Sequence, residues 1–142
     1  MRYVLDASVA TKWLLPEVDS PAALVVLDGA QTGRISLVAP ALIGLEFGHV
    51  LGNELRRGRC DSATADRLWS AFRSLPVTLV SARLLQDRAF FLSVTQRITI
   101  YDAVYLAVAE AEHAPLITAD PSLMAAIGSS DGRIIHMGAV SI

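Results

Sequence analysis

The chain has 142 residues, a formal net charge of -2 and 53% hydrophobic residues. That length suits one domain, expected over residues 1–142, with a full buried core. The charge balance excludes recruitment of nucleic acid by a global positive field, so an anionic substrate needs local Arg clusters or a bound cation.

Lys12 is the only lysine and every other basic residue is Arg. The single cysteine, Cys60, excludes an intrachain disulfide and fits a reducing compartment. Asp6 comes too early for the apolar region of a signal peptide. The longest uncharged apolar run, Leu37 to Leu45, falls far short of the ~20 residues that span a bilayer. The expectation is a soluble, cytoplasmic protein with no membrane segment.

In chain order, Arg2 to Asp6 reads as a short buried strand, followed by a helical stretch from Val9 to Leu15 that Pro16 ends. Ser20-Pro21 signals a cap and first turn, opening a helix to about Gln31 before Gly33. Ile35 to Ala39 reads as a second strand, and Pro40 as the opening of a long helix through Arg57, stopped by Gly58. Asp61 caps a helix from Ser62 to Ser74, and Val77 to Val80 alternates as a strand. Ser81 is expected to cap a helix from Ala82 to about Gln96, followed by another from Tyr101 to His113. Pro115 to Thr118 is strand-like, Pro121 to Ile127 helical, and Arg133 to His136 a last strand. Alternating strands and helices predict an α/β fold, with a mainly parallel sheet covered on both faces.

Four carboxylates stand out from this pattern: Asp6, Glu46, Asp102 and Asp120. Each lies in an apolar or small-residue stretch, where a charge is costly without a partner. Asp6 and Asp120 both close strands, so a parallel sheet brings them to the carboxyl edge where such sheets bind ligands. Each acid also has a simpler role. Asp120 before Pro121 is a helix N-cap, Asp102 suits the positive end of a helix dipole, and Asp6 faces a helix start. Glu46, between Leu45 and Phe47, is harder to explain that way. If the four meet, carboxylates ~4 Å apart repel by ~4 kcal/mol per pair at an effective dielectric of ~20. Either protonation or a hard divalent cation relieves that repulsion. Lys12 is the only lysine near Asp6, which favours the cation.

Several blocks around these acids resemble PIN-domain nucleases, in particular the VapC-type toxins of prokaryotic toxin–antitoxin pairs. They are Asp6-Ala-Ser-Val with Lys12-Trp-Leu-Leu-Pro-Glu17, then Ala39-Pro40 and Leu45-Glu46. Tyr101-Asp-Ala-Val-Tyr-Leu-Ala107 and Leu116-Ile-Thr-Ala-Asp120 follow in the family's order. The resemblance implies a three-layer α/β/α fold with a short central sheet, and metal-dependent endoribonuclease activity. Under it, Asp6, Glu46, Asp102 and Asp120 correspond to the catalytic acidic quartet that binds Mg²⁺ or Mn²⁺, with Asp6 and Asp102 the most direct ligands. Ser8 and Thr118 correspond to supporting hydroxyls. The chain departs from the pattern at His49, where the family often has Asn. On a helix His49 shares a face with Glu46, so it is either a structural residue or one that touches the site.

Lys12 is either a helix-surface ion pair, with Glu17 as its natural partner, or a phosphate contact. Arg56, Arg57 and Arg59, with Arg73, are candidate RNA contacts, or else a solvated helix end with cations favourably placed. The resemblance further implies a homodimer and a cognate VapB-type antitoxin, whose tail folds over the acidic cleft and sets an Arg against the carboxylates. Leu42 to Leu51 and Leu68 to Leu75 are candidate interface surfaces, or else ordinary core. Two rival readings share much of this sequence: a PIN-domain RNA-processing nuclease without an antitoxin, and a non-catalytic PIN-like binding module. Receiver domains and dehalogenase-type phosphatases fit poorly. The former want paired acids after the first strand, and the latter an acid two residues after Asp6, where Ser8 stands.

Overall fold

Tyr3, Val4 and Leu5 are all buried, with no alternation between inside and outside, as expected of a strand covered on both faces. They belong to β1 (Arg2–Leu5) in a computed structural model that describes residues 1–128, 132–140 and 142. The chain turns at Asp6 into α1 (Ala7–Leu14), which stops before Pro16, and continues into α2 (Ser20–Gln31) with Pro21 in its first turn. β2 (Ser36–Pro40), α3 (Leu42–Arg56), α4 (Ser62–Arg73) and β3 (Val77–Val80) follow. A 3₁₀ turn (Arg83–Leu85) leads into α5 (Gln86–Gln96) and α6 (Ile100–Glu112). β4 (Leu116–Thr118), α7 (Pro121–Ile127), β5 (Ile134–His136) and a second 3₁₀ turn (Met137–Ala139) complete the order.

Among the described residues the strands form one sheet in the order β3-β2-β1-β4-β5, and every pairing is parallel. The chain runs outward from β1 through β2 to β3, then returns to add β4 and β5 on the other side of β1. Right-handed crossovers therefore put α1 to α4 on one face of the sheet and α5 and α6 on the other. The contacts agree, since α1 to α4 touch one another while α5 packs on α6 and α6 on β1, β2 and β4. This is the expected three-layer α/β/α arrangement. The reversal of direction falls between β1 and β4, making their carboxyl ends a topological switch point, where such sheets bind ligands. No helix among the described residues is long and apolar enough to cross a membrane.

Two boundaries differ from expectation. Pro40 does not open a helix; it is the last residue of β2, opposite Val80. Proline has no N–H to give the ladder, and Ala41 N–H supplies the next bond, to the Val80 carbonyl at 3.0 Å. Ser81 does not cap an α-helix at Ala82. Its hydroxyl accepts the Arg83 N–H at 3.3 Å and steers a single 3₁₀ turn with Leu84 in solvent, so α5 starts only at Gln86. The two apolar stretches, each open as an interface surface or ordinary core, divide between inside and outside, with Trp69 37% exposed. Ile43, Phe47, Leu51 and Phe72 are core, with Leu68 and Leu75 packed against it, whereas Leu45 is 73% exposed.

Candidate active site

The site begins with a buried charge. Asp6 is 7% exposed at the end of β1, where its N–H bonds to the Ile117 carbonyl of β4. Its Oδ2 accepts two hydroxyls, Ser8 at 2.5 Å and Thr118 at 2.6 Å. Both hydroxyls also tie down the loop after β4: the Ala119 N–H donates to Ser8 Oγ and the Asp120 N–H to Thr118 Oγ1, each at 3.0 Å. Ser8 and Thr118, the two hydroxyl positions matched by the resemblance, thus both bond to Asp6. Thr118→Val keeps the shape but removes both hydroxyl bonds in a fully buried position. It should lower stability by about 1–3 kcal/mol in urea denaturation. An unchanged midpoint would mean that these bonds contribute nothing net.

Asp120 holds a double position. It caps α7, accepting the Ser122 N–H on Oδ1 at 2.7 Å, and it also lines the groove above Asp6. Asp102 sits in the first turn of α6. Thr99 caps that helix by accepting the Asp102 N–H at 3.0 Å and returns its own hydroxyl to Asp102 Oδ2 at 2.7 Å. Glu46, half-buried on α3, has its Oε2 held by the hydroxyl of Tyr105 on α6.

The electrostatics join three of these acids. Burial pushes the Asp6 carboxyl up from its ordinary range. The Ser8 and Thr118 hydroxyls pull it down, and the Asp102 charge pushes it up again. Glu46 is likewise raised by burial, lowered by Tyr105, and raised by the charges of Asp6 and Asp102. Burial and the Glu46 charge together drive the Tyr105 phenol far above its ordinary range, so it remains a donor at any physiological pH. Asp6, Glu46 and Asp102 come from three separate segments, and the Asp6 and Glu46 carboxyls both register the Asp102 charge.

A groove of about 830 Å³ opens over this cluster, lined by Ser8, Lys12, Glu46, His49 and Asp120 with an apolar wall that includes Leu42, Leu45 and Val50. Tyr101, 59% exposed, forms part of its lip. Asp6 and Asp102 are not among the lining residues; Asp6 lies beneath, reached through Ser8. As placed, no three His, Cys, Asp or Glu side chains among the described residues stand close enough to form a ready metal cage. The donor chemistry nevertheless suits a small hard cation. Mg²⁺ is usually held by one or two carboxylates and keeps several waters, and the acids here offer oxygen donors only.

The other expected site residues divide. His49 lines the groove one helical turn beyond Glu46, as its spacing suggests. Lys12 also lines it, paired with Glu17 and, at 2.7 Å, with Asp19. The basic end of α3 is not brought into the groove. Arg56 donates to Asn53 at 2.5 Å, Arg59 pairs with Glu54 at 2.6 Å, and Arg57 is the exposed C-cap. Arg73 lines a separate cavity with Trp69 and Phe72.

Tyr105 and Thr99 were not singled out by sequence reasoning. Thr99 carried a usable signal, because Thr-x-x-Asp ahead of an apolar run marks a helix start. For Tyr105 the signal was subtler: a tyrosine in an otherwise apolar helical run needs a partner for its hydroxyl.

A PIN domain profile matches residues 3–128. The chain is 35% identical over 127 residues to Ribonuclease VapC3 of Pyrobaculum aerophilum, covering 87% of this chain and 92% of that protein. The crystal structure of PAE2754 from the same organism superposes with a TM-score of 0.72 at 27% identity, over 96% of this chain and 84% of that one. A toxin-antitoxin complex from Klebsiella pneumoniae shares the fold, with a TM-score of 0.65 at 13% identity over 95% of this chain and 97% of that one. With the acids at the switch point, and with a profile and a relative that each span most of its length, the chain belongs to the PIN-domain family.

Proposed function

We propose that the protein is a divalent-metal-dependent endoribonuclease and the toxin of a toxin–antitoxin pair. The observation that carries this reading is the gathering of carboxylates from separate segments at the β1/β4 switch point, where buried Asp6 feels the Asp102 charge and Glu46 feels those of Asp6 and Asp102. A cluster of that kind is stabilised when a cation joins it. The ribonuclease name of the P. aerophilum relative supports RNA as the substrate.

In this reading Asp6, Asp102, Glu46 and Asp120 would hold Mg²⁺ or Mn²⁺. The chemistry the ion supplies when bound is activation of the attacking water and neutralisation of charge on the phosphoryl oxygens. The protein's own groups then have definite tasks. Ser8 and Thr118 fix the Asp6 carboxylate through Oδ2. Thr99 fixes Asp102 through the α6 cap. Lys12, held by Glu17 and Asp19, presents a cation on the groove wall for a neighbouring phosphate. Tyr101 offers an exposed ring on which a base can stack. Arg56 lies about 15 Å along α3 from Glu46, with Arg57 as the C-cap and Arg59 just past the helix end, so a single strand crossing the groove could reach them next.

The same reading includes a homodimer and a cognate VapB-type antitoxin. The groove pairs carboxylates with apolar side chains such as Leu42, Leu45 and Val50, which suits an apolar tail carrying an Arg. The direct test is cleavage of total RNA by metal-stripped protein, with and without added Mn²⁺ or Mg²⁺, beside Asp102→Asn. Cleavage should require the ion and fall by about a hundredfold or more in the variant. Cleavage that persists in a chelator, or undiminished in a folded Asp102→Asn protein, would overturn the reading.

A further inference from the structure

The hydroxyl of Tyr105 has no evident task in the chemistry above, yet it occupies a central place. The side chain projects from α6 one turn after Asp102 and is 1% exposed. Its hydroxyl donates to Glu46 Oε2, across from α6 to α3. Thus one buried group joins two of the segments that build the site. Glu46 Oε1 takes no hydrogen bond from the described residues.

We propose that Tyr105 is a positioning residue, locking Glu46 through Oε2 so that it offers only Oε1 to a metal ion. The inference rests on the metal-site reading above and assigns a device within it. Glutamate is long and rotatable, and Glu46 stands on a helix whose neighbouring side chain, Leu45, points to solvent. Left alone, its carboxylate can swing away from Asp6 and Asp102 or clasp an ion with both oxygens. A donor fixed in the core prevents both. Asp6 is treated alike, with both side-chain donors falling on Oδ2.

Single-oxygen ligation has a consequence for ion choice. Ca²⁺ takes 6–8 oxygens and often a bidentate carboxylate, whereas Mg²⁺ demands a small octahedron. Tyr105 therefore favours Mg²⁺ or Mn²⁺ over Ca²⁺ by restricting how Glu46 binds. A ring that merely filled the core would not distinguish the ions.

The test is titration of metal-stripped full-length protein with Mn²⁺ and, separately, with Ca²⁺, in the absence of RNA. Tyr105→Phe keeps the ring and deletes the donor, and its melting temperature checks the fold. Its Mn²⁺ affinity should fall about 10- to 100-fold, the usual cost of losing a group that orients a ligand. Its Ca²⁺ affinity should fall less, narrowing the preference. In a Glu46→Ala background the same substitution should leave Mn²⁺ affinity unchanged, since there is no carboxylate left to hold. Unaltered Mn²⁺ affinity in Tyr105→Phe, or an equal loss in the Glu46→Ala background, would overturn the inference alone. Wild-type protein that binds no Mn²⁺ would overturn both it and the site reading beneath it.

Discussion

Asp6→Asn should abolish RNA cleavage and yet make the metal-free protein more stable. The asparagine carbonyl can still accept the Ser8 and Thr118 hydroxyls, so the local bonds survive. What disappears is a buried charge that Asp102 and Glu46 repel. Cleavage should fall by about a hundredfold or more, because a charged group at the reacting centre is removed.

The pH dependence follows from the direction of the shift. The folded-state pKa of Asp6 is raised. Its ionisation therefore costs nothing below the unfolded value, about 3.9, and progressively destabilises the fold as pH rises through the native value. The stability advantage of Asp6→Asn should thus be small near about pH 4 and grow toward about pH 7. Comparing the two proteins isolates this group from Asp19, Asp61 and Glu110, whose carboxyls are shifted the other way. Added Mn²⁺ should stabilise the wild type and narrow the gap. Thermal melts across pH measure all of this. A variant less stable than wild type at neutral pH without metal would contradict the account.

Phe47→Ala should cause the largest loss of stability among single changes near the site. Phe47 is fully buried on α3, directly after Glu46. Its ring stacks on Phe72 of α4 at a centroid distance of 4.5 Å and 11° between planes, with Trp69 at 6.4 Å. Truncating a buried phenylalanine costs about 3–5 kcal/mol, a large share of the roughly 5–15 kcal/mol that holds a domain together. Leu45→Ala, two residues away on the solvent side, should stay within about 0.5 kcal/mol. Urea denaturation of the pair separates core from surface on the helix that carries Glu46. Equal midpoints would show that the α3–α4 aromatic stack is not what fixes that helix.

The acids were legible in sequence because strand ends and helix caps leave local marks. Asp6 closes an apolar run, Asp120 precedes a proline, and Asp61 does cap α4, accepting the Thr64 N–H at 2.7 Å. Which acids meet is a matter of strand order, and that comes from pairings between residues more than a hundred positions apart. Local patterns cannot carry it; the likeness of several blocks to one family did. The misread boundaries share another cause. Pro40 and Ser81 each have a strong local preference, but the cross-strand bond from Ala41 to Val80 keeps Pro40 in β2, and a local bond from Arg83 to the Ser81 hydroxyl sets a 3₁₀ turn ahead of α5. Tyr105 was hidden for the opposite reason. Its hydroxyl matters only because Glu46, 59 residues earlier, arrives beside it.

The central claim is that carboxylates from four separate segments form one metal site at the β1/β4 switch point. Anomalous scattering from crystals grown with Mn²⁺ tests it most directly. The expected result is a peak beside the carboxylates of Asp6 and Asp102, within reach of Glu46 Oε1. A protein that cleaves RNA in Mn²⁺ but shows its peak elsewhere, or none at these acids, would contradict the account.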